Sequence, residues 1–201
     1  MPQLTAPFVP AGSMARAPQP LLSAGELRLR PWQAADAPAV ERAYSEPDIQ
    51  QWHARSMTPS EAQEWIASRA ELWAQERGAD WAIGDGSGVL GRMGVRRVEL
   101  AEGLAEVTYW VLPHARGRRV ASTALRALSD WLFGEVGLHR IELMHSTLNP
   151  ASCRVAELAS FGLEGVKRQE GLHPDGWHDM HIHARLSGDG EADAAPVSRA
   201  R

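Results

Sequence analysis

The sequence predicts a mixed α/β (α+β) domain, a mixed sheet with helices on both faces. Two observations carry this prediction. Segments of strand and helix periodicity follow one another in the order strand, two helices, three strands, helix, strand, helix, two strands. The chain of 201 residues also has the length of one compact domain, whose core can stand without metal or disulfide staples.

Glu26 to Arg30 alternates polar and apolar and stops at Pro31, as a first strand would. Ala34 to Tyr44 places Ala37, Val40 and Ala43 along one side of a helix, with Pro38 near its start. Thr58-Pro59-Ser60-Glu61 is a helix opening: Thr58 can cap, Pro59 suits the first turn and Glu61 can close a capping box. Ala62, Trp65, Ile66, Leu72 and Trp73 form the buried stripe, and Gly78 ends it. Asp80 to Ile83 and Val89 to Val95 are strands flanking Gly84-Asp85-Gly86-Ser87-Gly88, and Ala105 to Leu112 is a third, after a turn near Gly103. Val120, Ala121, Ala124, Leu125, Leu128 and Leu132 recur at helical spacing up to Gly134. Ile141 to Met144 reads as a buried strand and Pro150 to Phe161 as a short helix. Two last strands surround Pro174-Asp175-Gly176.

Both ends lack periodicity and are rich in Pro, Ala, Gly and Ser, so residues 1–20 and 187–201 are expected to be unstructured tails around a folded domain at 21–186. The single cysteine, Cys153, excludes an intrachain disulfide and suits a reducing, cytoplasmic setting. No apolar run approaches the ~20 residues of a membrane span. A formal net charge of -4 argues against a general nucleic-acid binder, so any positive patch must be local.

Such a patch stands at His114-Ala115-Arg116-Gly117-Arg118-Arg119-Val120-Ala121-Ser122. A strand ending at Pro113, a basic loop holding one glycine, and a helix that opens with small residues make an anion site. Free backbone N–H groups and the helix dipole point at the ligand, small side chains let a phosphate approach, and arginines clamp its oxygens. A solvated basic loop is the alternative for this stretch taken alone. It is not a nucleoside-triphosphate loop, because no Gly-Lys-Ser/Thr follows.

The longer stretch "AEVTYWVLPHARGRRVASTAL" resembles the acetyl-coenzyme A segment of the GNAT acetyltransferases, in particular the RimJ/RimL-like branch. The family signature is Arg or Gln, two residues, Gly, one residue, then Gly or Ala. Arg116 opens it here and Ala121 closes it, while Arg119 stands where the family has its second glycine. The segments "LRLRPWQAADAPAV", "MTPSEAQEWIASR" and "STLNPASCRVAELASFGLEGV" are similar to the family's first strand and helix, second helix and active-site segment, in the right order. The resemblance implies the GNAT fold: a central, mixed, mostly antiparallel twisted sheet of about seven strands with about four helices.

It further implies an acetyl-coenzyme A-dependent N-acetyltransferase, without metal, acting on a primary amine (a protein N-terminus or a small molecule) in a ternary complex. Partners would be the coenzyme and its acceptor, with a homodimer as a possible assembly. Family backbone groups that hold the pantetheine arm fall on Tyr109, Trp110, Val111 and Leu112. The pyrophosphate would rest on Arg116, Gly117, Arg118, Arg119, Val120, Ala121 and Ser122. Asn149 matches the asparagine that bonds the coenzyme arm, and Ser152, the candidate acid, matches the serine that reaches the sulfur. Asn149 is also a good N-cap before Pro150. Two glutamates compete as general base: Glu106, at the strand position used by histone-acetylating relatives, and Glu170, near the position used by RimL-like enzymes. Glu106 is preferred. Acceptor choice falls to the first two helices (Gln51 to Arg55, Trp65) and the last hairpin.

Cys153 invites an acetyl-cysteine scheme, but in mid-helix with no evident histidine partner its expected role is packing. Asp179, His181 and His183 share a strand face. A zinc site is disfavoured, because side chains two apart on one strand diverge. The rival functions are an acyl-coenzyme A sensor without turnover, an enzyme using a larger acyl donor, and a metal-dependent hydrolase built on the histidines.

Overall fold

The computed structural model describes residues 4–189. An eight-stranded sheet runs in the order β1-β2-β3-β4-β5-β6-β8-β7. Its strands are β1 (Leu22–Ala24), β2 (Leu27–Pro31), β3 (Ala79–Gly84), β4 (Val89–Glu99), β5 (Leu104–Val111), β6 (Arg140–Ser146), β7 (Gly162–His173) and β8 (Gly176–Leu186). Five helices accompany it: α1 (Ala37–Ala43), α2 (Pro47–His53), α3 (Pro59–Ala74), α4 (Val120–Trp131) and α5 (Pro150–Leu158). All strand pairs are antiparallel except β5 with β6.

The expected elements all form, with one strand and one helix added. β1 is three residues long, too short to carry a period, and pairs Leu22 with Leu29 of β2. α2 follows Glu46 with Pro47 at its first position and stops at Ala54, which is left-handed at φ 47°. The capping box of α3 is realised, with the Glu61 N–H donating to Thr58 Oγ1 and the Thr58 N–H donating to the Glu61 carboxylate.

Each sheet face carries a core. On one, α4 lays Val120, Ala124, Leu125 and Leu128 against Trp81, Met93, Val107 and Leu143. On the other, α1 and α3 pack Val40, Tyr44, Trp65 and Ile66 against Trp32, Ala82, Trp110 and Leu112. Buried Asp80 joins α3 to the sheet by accepting from Arg69 at 2.8 Å and from Arg92 at 2.5 Å. A buried charge needs such pairing. Gly94 leaves room for it, since a Cβ there would stand 2.2 Å from Asp80 Oδ1.

The segment expected to be an unstructured N-terminal tail is, from residue 4 on, laid along the domain. Val9 and Met14 are buried in the α4-side core. The Glu76 carboxylate accepts the N–H groups of Gly12, Met14 and Ala15. Indole N–H groups of Trp73 and Trp81 donate to the carbonyls of Ala17 and Pro20. The segment has no period because its hydrogen bonds go to other elements rather than to itself. At the other end, residues 187–189 close a turn in which the Leu186 N–H donates to Asp189. The remainder of the expected C-terminal tail lies outside the described residues.

Candidate active site

The parallel pair β5–β6 is short. Leu104 to Val107 faces Arg140 to Leu143, and beyond Val107 the two strands part. A parted pair leaves unpaired backbone groups, which must be satisfied by a ligand or water. A cavity of about 840 Å³ occupies the gap. Thr108 to Val111 of β5 and Leu143 to Ser146 of β6 line it, together with the start of α4, the start of α5 and α2.

The basic loop forms one wall. Arg116, Gly117, Arg119, Val120, Ala121 and Ser122 all line the cavity. Gly117 is left-handed at φ 76°, and so is Arg119 at φ 58°. Arg119 is the N-cap of α4, and no side chain among the described residues caps that end. The first internal bond of this turn runs from the Thr123 N–H to the Arg119 carbonyl, so the N–H groups before it are available to an anion. Arg116 is held by Asp48 at 2.6 Å and Arg118 by Asp85 at 2.8 Å. Hydrogen bonds from Ser87, then from Arg118, lower the Asp85 carboxyl below the usual carboxylate range. Arg118, expected at the pyrophosphate, thus turns towards the β3–β4 turn and does not line the cavity.

The opposite wall holds the chemistry. The Tyr109 hydroxyl and Ser152 Oγ lie 2.6 Å apart. Burial pushes the Tyr109 phenol up to about 12, against the opposing effect of its bond to Ser152. Asn149 lines the cavity and caps α5, its Oδ1 accepting from the Ser152 N–H at 3.1 Å. Both sequence readings of Asn149 are thus compatible. Trp110 and Val111 line the cavity, whereas Leu112 is packed in the core on the α1 side.

The two glutamates are placed very differently. Glu106 is buried on the face of β5 shared by Thr108 and Trp110, and its carboxylate accepts from Arg96, which lines the cavity. Glu170 sits where β7 loops out between Lys167 and Gly171, half-exposed, with Lys167 at 3.8 Å as its ion-pair partner among the described residues. Neither glutamate lines the cavity itself, but Glu106 stands directly behind its wall through Arg96, whereas Glu170 has no such link among these residues.

α2 and the β7–β8 hairpin close the mouth. The His173 ring donates to the Gln51 carbonyl at 2.9 Å, and Gln51 donates to Asp175 at 2.8 Å. Trp52 packs on His173 with ring centroids 5.9 Å apart. His53, inside the range expected to choose the acceptor, donates from Nε2 to the Tyr109 carbonyl at 3.0 Å. Burial first, then the nearby Arg92 charge, lowers its pKa to about 4, so it is neutral at ordinary pH. Trp65 lies away from the cavity, in the core against Trp32.

Cys153 does have a histidine neighbour, contrary to the sequence reading: its Sγ is 3.8 Å from His183 Nε2. His183 comes from β8, thirty residues along the chain, so no local pattern announces the pair. His145 and His181 complete a cluster with these two.

A family model described as an acetyltransferase (GNAT) domain matches residues 26–161. The uncharacterized N-acetyltransferase YoaA of Bacillus subtilis is 28% identical over 154 residues, covering 75% of this chain and 87% of that protein. The ribosomal-protein-serine acetyltransferase of Escherichia coli is 30% identical over 98 residues, covering 49% of this chain and 55% of its own. Among solved structures, the ribosomal L7/L12 alpha-N-protein acetyltransferase RimL in complex with coenzyme A superimposes with a TM-score of 0.77 at 20% identity, covering 83% of this chain and 98% of that one. The microcin C7 self-immunity acetyltransferase MccE, bound to acetyl-CoA and AMP, gives 0.73 at 18% identity, covering 81% and 93%. The matched domain spans well over half the chain and contains the parted strands, the basic loop and Tyr109, and on that ground the protein belongs to the GNAT family of N-acetyltransferases.

Proposed function

We propose that the protein moves an acetyl group from acetyl-coenzyme A to a primary amine, a peptide N-terminus or a small-molecule amine, by direct attack within a ternary complex. The observation that carries this reading is the continuity of one cavity from the α4 N-terminus to the Tyr109–Ser152 pair. The pyrophosphate fits the N–H groups at the loop of Arg116 to Ser122. The pantetheine arm fits the parted edge of β5, with Asn149 opposite. The amine nitrogen forms the new C–N bond while the C–S bond breaks and sulfur leaves with the electron pair. The Tyr109 hydroxyl, protonated at ordinary pH, supplies the thiolate with a proton, and Ser152 holds the phenol in line. Glu106, set behind the cavity wall beside Arg96, accepts the ammonium proton through a water.

The acceptor enters between α2 and the last hairpin, where Trp52, His53 and His173 face it. The free thiol Cys153 agrees with a cytoplasmic setting. Exposed Leu163, Val166 and Leu172 on the edge strand β7 support a homodimer; sedimentation as a monomer would count against it. The test of the activity is coenzyme-thiol release from acetyl-CoA with N-terminal peptides, polyamines and aminoglycosides. Acceptor-dependent release with N-acetylated product is expected. Tight coenzyme binding with no release on any acceptor would favour the sensor instead.

A further inference from the structure

Three histidines and the cysteine meet between the sheet and α5, at the edge of the cavity that His145 also lines. His145 of β6 and His181 of β8 are direct register partners, His183 follows two residues along β8, and Cys153 projects from α5. Each offers one donor atom, and all four atoms lie within 4.8 Å of one another. His145 and His183 are 6% and 1% exposed.

The hydrogen bonding prepares these rings as ligands. His145 Nδ1 donates to the Ser146 carbonyl at 2.8 Å, leaving Nε2 with its lone pair. His183 Nδ1 donates to the Phe161 carbonyl at 3.4 Å, again leaving Nε2, which faces the thiol. Metal-binding histidines characteristically spend their second nitrogen on a carbonyl in this way. His145 Nε2 and His181 Nδ1 are buried and have no hydrogen-bond partner among the described residues. An orphaned buried nitrogen is costly, and two of them in one cluster call for a shared ligand.

We propose that His145, His181, His183 and Cys153 form a tetrahedral site for a divalent zinc-class cation. Three imidazole nitrogens and a thiolate suit zinc rather than magnesium or calcium, which prefer oxygen. Tetrahedral bonds of the usual Zn–N and Zn–S lengths put neighbouring donors about 3.3–3.6 Å apart. The 3.8 Å between Cys153 Sγ and His183 Nε2 is close to that spacing, and the rest of the cluster needs a contraction of about an ångström. Binding releases the Cys153 proton to solvent as the Zn–S bond forms. The expectation that side chains two apart on β8 diverge does not decide the matter, because the neighbouring strand and the overlying helix supply the convergence. Four protein donors leave no open position, so the ion is structural. It clamps α5 to β6 and β8, and with α5 it fixes Asn149 and Ser152 against Tyr109.

The test uses full-length protein stripped with chelator, then titrated with cobalt(II). One equivalent should give a thiolate-to-cobalt charge-transfer band and intense visible bands of four-coordinate cobalt, both bleached by zinc. Zinc should raise the thermal midpoint. Cys153→Ser should abolish the charge-transfer band, and His181→Ala should weaken binding at least ~10-fold. Cys153 is the single cysteine, so its alkylation in the unmutated protein gives a readout that needs no variant; zinc should slow it at least ~10-fold. Weak six-coordinate cobalt bands, or alkylation indifferent to zinc, would overturn the site. None of these readouts depends on acetyl transfer.

Discussion

The Tyr109 hydroxyl of β5 meets the Ser152 hydroxyl of α5 at 2.6 Å, across the gap where β5 and β6 part. Tyr109→Phe keeps the ring and removes the proton. The acetylation rate should fall by ~10²–10⁴-fold while coenzyme affinity changes little. Ser152→Ala should cost much less. With the phenol raised to about 12, turnover of the unmutated enzyme should show no alkaline fall from loss of this proton below about pH 11. Steady-state kinetics across pH, on a verified acceptor, check all three; an unimpaired Tyr109→Phe would move the acid elsewhere.

Arg116 and Arg118 pair with Asp48 and Asp85. Replacing both arginines with Ala should weaken coenzyme A binding several-fold and make it less salt-sensitive, as calorimetry at two ionic strengths would show. Arg116 should account for most of the loss, because it alone of the two lines the cavity. Equal affinity in the double variant would leave both as solvated surface.

Arg119, at the position of the second glycine in the signature that the loop resembles, is left-handed at φ 58°. Arg119→Gly relieves that strain but loosens the unfolded chain, so the two effects should nearly cancel in the thermal midpoint. Coenzyme affinity should hold or improve. Arg119→Val should destabilise by ~1–2 kcal/mol, since a β-branched residue tolerates positive φ worst. A large affinity loss in Arg119→Gly would instead make the arginine a phosphate ligand.

Glu106→Gln keeps shape and removes basicity. It should lower the acetylation rate by ~10²–10⁴-fold near neutral pH, spare coenzyme binding, and recover as pH rises and free amine becomes abundant. Glu170→Gln, on the outlying loop of β7, should leave the rate near that of the unmutated protein. Should the two effects exchange, the RimL-like assignment of the base is right. If neither variant is slowed, a histidine or a water chain must carry the proton.

His53 is neutral in the fold, with a pKa of about 4 against an ordinary 6.5. Between those values the unfolded chain binds the extra proton, so stability rises with pH there. Equivalently, His53 costs nothing above about pH 6.5 and destabilises increasingly as pH falls towards 4, by on the order of 3 kcal/mol. Urea midpoints between pH 7 and pH 4 should fall less steeply in His53→Gln than in the unmutated protein. Parallel slopes would show that His53 is not held neutral.

What the sequence determined by itself is what lies within reach of a few residues. The Thr58–Glu61 box, the Asn149 cap, the stripe of α4 and the last hairpin are interactions between positions at most four apart, or periods of 3.6 and 2, and all are realised. The basic loop is legible for the same reason, since a helix start and its preceding residues suffice to make an anion site. Tertiary structure decided everything that depends on register between distant strands. It separated Glu106, which sits beside the cavity-lining Arg96, from Glu170 on its loop. It laid residues 4–20 on the domain through Glu76, Trp73 and Trp81, and it drew α2 over the cavity mouth. It also gathered His145, Cys153, His181 and His183 from two strands and a helix. A side chain's periodicity reports which face it occupies, whereas its partners across the sheet follow from pairing, and pairing is settled by the packing of the whole domain.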